Sequence, residues 1–523
     1  MANRDKDRPV IRAIGPATGE EIGTVQACTP DDVRRIVEAA HRAQPGWGAL
    51  SVETRAGYLT AAKKYIAANI DRIARTISED SGKPRVEAVT SEISGVIYLL
   101  DLMPKTAPRW LADEPVFAAY WRLLGKRSLI TYRPLGVVGV IAPWNFPFSI
   151  PFGQIAMALV AGNAVAFKPS SATPLVGRLI EEIWREAGLP AGVLGVAHGP
   201  GRLGDELCRA GLRKILFTGS VAIGRHVMQE AAKSMTPVSL ELGGKDPMIV
   251  LEDADLDVAS SAAVWGAFCN SGQVCASIER CYVAESLYDA FVDRVVEKTR
   301  RLRQGVDTAF DVDVGAMTTE EQLRTVERQV EAAVRAGARV LAGGERNRGL
   351  AGWFYKPTVL VDVDHGMEVM SEETFGPVLP IVRVRDEDEA VGLANDSKFA
   401  LTACVFTGDL ERGERVARRL EAGTVMVNDC LFTFSMAETP WGGAKESGVG
   451  RTHGRIGMME LVEPVHICTN TRPGRKNPWW YPYDEASWRF FLDSIVTFAP
   501  PSPSELVGAA LRSIGKLLRD DRW

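Results

Sequence analysis

A cysteine, a glutamate and an asparagine stand out because their neighbours could set them up for chemistry on a carbonyl. Cys275 lies in FCNSGQVCASIER, residues 268–280. A lone cysteine is usually a small buried hydrophobe. Cys275 differs because it follows Gly272-Gln273 in a polar turn before an extended segment. Its small neighbours leave room for a carbonyl to approach the sulfur. Glu241, in LELGGKDP (240–247), sits between Leu240 and Leu242. That setting predicts a partly buried carboxylate, and the Gly-Gly after it lets backbone or ligand come close. Asn145 is the centre of PWNFP (143–147), where two prolines hold its side-chain amide as a preorganised donor. Two further motifs are EETFGPV (372–378) and FTGSVAIG (217–224). The second reads as a strand ending in Gly-Ser before a helix.

These residues need elements to position them. No charge occurs between Arg133 and Lys168, long enough to suggest a membrane span. Pro143, Pro147 and Pro151 break it, since each removes a backbone donor and clashes with a continuous helix. The pattern predicts a strand over Thr131–Ala142, the PWNFP turn, a helix over Phe152–Ala161 and a buried strand over Ala164–Lys168. Residues 30–80 read as helices, starting at the capped Thr29-Pro30-Asp31-Asp32. Apolar strands then alternate with amphipathic helices to about Val250. A second such series runs through ERCYVAE, ARVLAGG, TVLVDV, PVLPIVRV, ALTACVFTG and GTVMVND. This rhythm predicts an α/β fold with two doubly wound parallel sheets. Beyond Arg472 a Pro- and aromatic-rich linker leads to two short helices, Glu485–Phe498 and Ser504–Arg519. The second places Val507, Leu511, Ile514 and Leu518 on one face, with Arg512, Lys516 and Arg519 largely elsewhere. A helix docked on this subunit or a neighbour is one reading, and a weak interfacial membrane helix is the other.

Composition bounds the rest. The 523 residues carry 61 Lys and Arg against 66 Asp and Glu, and 46% are apolar. Those are globular values, and about two to four domains are expected. The mild negative charge argues against nucleic acid as the main partner. The first residues, MANRDKDRPV, contain no apolar leader run, and the 8 cysteines are scattered with no CxxC pair. The expectation is a reduced, cytoplasmic protein, with peripheral membrane contact through the tail as an option, and without a structural metal.

All five motifs, in this order across some 230 residues, make the chain similar to the NAD(P)-dependent aldehyde dehydrogenase superfamily from about residue 10 to 471. The resemblance implies a cofactor-binding domain (1–118 and 137–243) and a catalytic domain (244–446). It also implies a β oligomerisation hairpin (119–136 and 455–471), which leaves 472–523 as an extension. The hairpin, Leu123–Arg133 joined by a strand around Pro464–Thr469, implies a homodimer or homotetramer. By the same resemblance Cys275 is the nucleophile, Glu241 the base for the hydrolytic water and Asn145 the oxyanion donor. Trp144, Lys168, Ser171, Gly219, Ser220, Gly224, Glu373 and Phe375 face the NAD or NADP. No GxGxxG occurs, and Gly219, Ser220 and Gly224 form a longer turn that aims helix N–H groups at phosphate.

The departures from the family pattern shape the substrate and cofactor expectations. Ser171 stands where many NAD-preferring relatives carry Glu, so NADP is expected to be accepted. Gly153 stands where relatives specific for succinate semialdehyde place Arg. Phe148, Phe152, Phe268, Leu431, Phe432, Phe434 and Trp441 are candidates for an apolar lining. Together these imply an aromatic or medium-to-long aliphatic aldehyde. Thr452 replaces a Glu that many relatives use near the proton exit. A CoA-acylating enzyme is the alternative, disfavoured because such members typically lack the Glu241 base. A non-catalytic member is disfavoured by the intact Cys275, Glu241 and Asn145.

Overall fold

The computed structural model describes residues 9–477 and 479–519, with side chains to residue 513. The chain divides into two compact units, 1–111 with 134–463, and 112–133 with 464–523.

The first unit is an α/β body holding two sheets. One runs in the order Gly448–Val449, Val238–Glu241, Lys214–Thr218, Val137–Ile141, Ala164–Lys168, Leu194–Val196. Its strands are parallel except the Gly448–Val449 edge, which pairs antiparallel with Leu240 and Glu241. Val137–Ile141 and Ala164–Lys168 are buried at every position, as continuous apolar runs between two helical layers must be. The other sheet has seven strands, in the order Arg339–Ala342, Thr358–Val361, Val378–Val384, Ile278–Ala284, Asp246–Val250, Thr402–Phe406, Thr424–Val427. Here the ARVLAGG strand departs from the parallel expectation, pairing antiparallel as Arg339–Ala342. The first helix, Pro30–Gly48, begins at Thr29 with the reciprocal bonds of a capping box.

Two boundaries differ from the sequence reading. The single strand expected over Thr131–Ala142 is two, Lys126–Pro134 and Val137–Ile141. Gly136, at φ +130°, turns the chain between them. The helix Gly454–Met459 belongs to the first unit, so the second begins at 464 and not at 455.

The second unit contains a three-stranded sheet in the order Val462–Asn470, Lys126–Pro134, Glu114–Val116. The region beyond 472 is part of this unit, not a separate extension. Phe498 meets Tyr120 edge-on at 4.7 Å, Trp479 meets Trp121 at 5.9 Å, and Lys126 Nζ donates to Asn477 at 2.6 Å. Its helices run Ala119–Leu123, Glu485–Phe498 and Pro503–Arg519. The side chains of Ile514, Lys516, Leu518 and Arg519, part of the amphipathic face read from the sequence, lie outside the described residues. Among the described residues no helix is long and apolar enough to cross a membrane.

Candidate active site

Cys275 follows a short 3-10 turn, Cys269–Gly272, in which three successive residues take left-handed backbone. Asn270 and Ser271 have φ of 51° and 55°, costly for residues with a Cβ. Gly272 is required, since a Cβ there would meet the Gly376 carbonyl oxygen at 2.1 Å. Side chains hold the turn. The Glu87 carboxylate accepts the Asn270 N–H at 3.0 and 3.1 Å. Asn270 Nδ2 donates to the carbonyls of Asn145 and Gln273, and Ser271 Oγ donates to Gly315 O.

The PWNFP turn is tied into the same network. Asn145 Nδ2 donates to Gln273 O at 3.0 Å, which joins it to the Cys275 loop. Lys83 Nζ donates to Asn145 O at 2.8 Å and to Glu92 at 2.6 Å. Glu92 in turn accepts the N–H groups of Phe148 and Ser149, both at 2.9 Å. The Lys83–Glu92 pair has 0% side-chain exposure on both sides. Lys83, Glu87, Glu92 and Asn270 were not singled out from the sequence, because the first three lie over fifty residues from the loops they hold.

Glu241 closes its strand at the end that faces Cys275. Neither of its carboxylate oxygens has a hydrogen-bond partner among the described residues. Burial raises its pKa well above the ordinary carboxylate value, against the opposing pull of Arg451. Burial likewise pushes the Cys275 thiol up, with Asp246, Glu373 and Glu241 adding negative charge.

Three cavities meet at Cys275. The largest is a cleft of about 430 Å3, lined by Trp144, Lys168, Ser171, Gly219, Glu373 and Phe375 among others. Asn145, Glu241 and Ser220 also line it. Ser220 caps the helix Val221–Ala232, accepting from Ile223 N. Burial lowers the Lys168 pKa to about 8. Glu373 accepts from Gly244 N at 3.0 Å, and burial raises its pKa to about 8. Trp144 meets Phe375 edge-on at 5.3 Å. Gly224 does not line the cleft. Its missing Cβ lets the helix approach the strand end, where a Cβ would meet Leu242 Cδ2 at 2.5 Å.

The second is an apolar cavity of about 150 Å3, lined by Phe146, Ile150, Trp265, Leu431, Phe432 and Phe434, with Trp441. Of the expected lining, Phe432, Phe434, Leu431 and Trp441 are there. Phe148, Phe152 and Phe268 are not. Phe148 and Phe152 point from the PWNFP side into the core, where Phe152 stacks on Trp184 at 5.0 Å and Phe148 packs on Phe152. Phe268 is buried in the core of the seven-stranded sheet, while Trp265, one turn earlier, reaches the cavity. Phe146 and Ile150 were missed because the turn sends alternate side chains opposite ways. Glu87 is the one charged residue in the described lining, and burial raises its pKa to about 7. The third is a small inner cavity of about 30 Å3, with Gln154, Gly153, Glu241, Thr452, His453 and Glu460 in its wall. Gly153 therefore faces this inner space and not the apolar cavity.

The sequence profile of the aldehyde dehydrogenase family matches residues 3–467. The chain belongs to that family. It is 41% identical, over 93% of its length and 91% of the relative's, to the 4,4'-diapolycopene aldehyde oxidase of a Methylomonas species. It is 37% identical to the NADP-dependent succinate-semialdehyde dehydrogenase of Escherichia coli, covering 88% of this chain and 94% of that one. Among solved structures, a Mycobacterium tuberculosis aldehyde dehydrogenase complexed with NAD+ superposes with a TM-score of 0.84 at 33% identity. The match covers 88% of this chain and 94% of that chain. The protein is an NAD(P)-dependent aldehyde dehydrogenase with an α/β fold.

Proposed function

We propose that the enzyme oxidises an apolar aldehyde, aromatic or medium-to-long aliphatic, to the carboxylic acid through a thioester on Cys275. One observation carries the reading: Cys275 lies where the 430 Å3 cleft, the apolar cavity and the inner cavity with Glu241 meet. The cleft fits a dinucleotide because it combines an ammonium, a helix N-terminus and paired aromatic rings. Lys168 and Ser171 would hold the adenosine ribose. Gly219 and Ser220 would receive the pyrophosphate at the helix start. Glu373 would hold the nicotinamide ribose, beside Trp144 and Phe375. The cofactor, when bound, supplies the acceptor for the hydride that leaves the aldehyde carbon. Ser171 carries no charge to repel a 2′-phosphate, so NADP is accepted.

The chain's own residues do the rest. Cys275 gives up its thiol proton to water, the thiolate Sγ bonds the aldehyde carbon, and the new oxyanion accepts from Asn145 Nδ2 and the Cys275 backbone N–H. Loss of the hydride leaves the acyl group on Sγ as a thioester. Glu241 takes a proton from water, which attacks that carbonyl and expels the thiolate. Its carboxylate lines the inner cavity beside Cys275, with Trp441 and Arg451 acting on it, and can hold that water. The apolar lining supports the substrate class. Among the described residues it holds no Lys or Arg to grip a terminal carboxylate.

The nine-residue edge strand Val462–Asn470 is mostly exposed and is the surface for a homodimer or homotetramer. The cytoplasm suits a long chain whose cysteines are scattered with no CxxC pair. The test is reduction of NAD and NADP by a panel running from succinate semialdehyde through aliphatic aldehydes to benzaldehyde, with and without CoA. Turnover without CoA that rises with apolar chain length or aromaticity supports the proposal. Preference for succinate semialdehyde, or a strict need for CoA, contradicts it.

A further inference from the structure

The second unit's two C-terminal helices are turned the wrong way round for a water-soluble surface. On Glu485–Phe498 the large apolar residues Trp488, Leu492 and Ile495 recur at i, i+4 and i+7 and so form one stripe. That stripe faces water, with Trp488 65% and Ile495 62% exposed. The buried residues of the same helix are Ser487, Phe490 and Ser494, so Phe490 alone of its large apolar side chains is fully turned inward. The second helix repeats the pattern. Val507 and Leu511 are 58% and 67% exposed, while Ala509 and Ser513 are buried. Arg512 pairs with Asp493, which ties the two helices together with both stripes uncovered. Just before them an exposed aromatic run, Trp480, Tyr481 and Tyr483, follows the exposed Arg475 and Lys476. Soluble helices place their apolar stripe inward, and contiguous exposed apolar surface marks an interaction site.

Charge identifies the partner. Residues 112–133 and 464–523 hold twelve Lys and Arg against eight Asp and Glu, a net +4, so the rest of the chain carries −9. We propose that this face docks on a bilayer surface that carries anionic lipid headgroups. Trp and Tyr suit the headgroup boundary, the aliphatic residues enter the acyl edge, and Arg475 and Lys476 meet the anionic layer. A second copy of the chain is the weaker occupant, because the subunit contact proposed above uses the Val462–Asn470 edge strand, whereas the stripes lie on the two C-terminal helices. The inference stands apart from the choice of aldehyde, although an apolar aldehyde would itself partition into lipid.

The test is sedimentation of the full chain with phosphatidylcholine vesicles, with and without phosphatidylglycerol. Binding should require phosphatidylglycerol and weaken in high salt. The double variant Trp488→Ser, Ile495→Ser should lower partitioning about tenfold or more. Its turnover of a water-soluble aldehyde and its mass by light scattering should stay unchanged. Tyr481→Ser with Tyr483→Ser is the second variant, should the first fail to fold. No binding to either vesicle, equal binding to both, or equal binding by wild type and variant would overturn the proposal. A fall in mass on substitution would overturn it too, and would make the face a subunit contact. Turnover of the soluble aldehyde reads the dehydrogenase separately, so loss of one reading leaves the other standing.

Discussion

Lys83 offers the sharpest test of how the site is held. Its ammonium donates to Glu92 at 2.6 Å and to Asn145 O at 2.8 Å, and lies 4.3 Å from the centre of the Phe146 ring. Neither member of the ion pair is exposed. Lys83→Met keeps the length of the side chain and removes the charge. Breaking a buried pair by deleting one partner costs about 3–5 kcal/mol, because the other charge is left buried and unpaired. Glu92 keeps its two backbone donors, Phe148 and Ser149, so the lower end, about 3 kcal/mol, is expected. The double change Lys83→Met with Glu92→Gln removes the orphaned charge and should recover part of the stability. Activity should fall further than stability accounts for. Asn145 loses one of the two donors that fix its carbonyl, Asn270 Nδ2 being the other, so kcat should fall by about tenfold, short of the about 100- to 1000-fold cost of deleting an oxyanion donor. Thermal unfolding with parallel kcat measurements gives both readouts. A Lys83→Met enzyme with wild-type melting temperature and kcat would refute the reasoning. So would a double variant that melts well below the single one.

Other expectations follow from the same geometry. Ser171→Glu should lower kcat/KM with NADP by about tenfold, through repulsion of the 2′-phosphate, and leave NAD within about twofold; steady-state kinetics with both cofactors checks it. Burial raises the pKa of both Glu241 and Cys275, and both act deprotonated, so kcat/KM should keep climbing as pH rises from neutral into the alkaline range. A flat profile over that range contradicts the assigned roles. Glu87 has a folded pKa of about 7, above the ordinary carboxylate value, so its contribution to stability is full at low pH and lost as pH rises through 7. In Glu87→Gln the melting temperature should fall less between pH 5 and 8 than in wild type, which differential scanning fluorimetry can read.

Much of this was legible in the sequence because it is local. Strands such as Val137–Ile141 and Thr358–Val361 are apolar, buried runs, and Cys275, Glu241 and Asn145 each sit in a short motif whose neighbours restrict the backbone. What was not legible depends on direction or distance. Phe146 and Phe148 are two residues apart, yet one lines the cavity and the other fills the core. Trp265 and Phe268 divide the same way over one helical turn. Gly224 looked like a phosphate-loop glycine, but the contact that requires it is Leu242, eighteen residues on. The Lys83, Glu87 and Glu92 clamp leaves no local signal, since its partners lie as far as 183 residues away. The tail helices were placed by their periodicity, whereas the outward turn of their apolar stripes is a property of packing.

The central claim is an acyl group carried on Cys275 and released by Glu241. Glu241→Gln, mixed with NAD(P) and a reactive aldehyde, should give one burst of reduced nicotinamide per active site and then almost stop. Intact mass spectrometry of that sample should show the chain heavier by one acyl group, mapped to the peptide that holds Cys275. Full multiple turnover in Glu241→Gln, or an unmodified Cys275 peptide after the burst, would contradict the account.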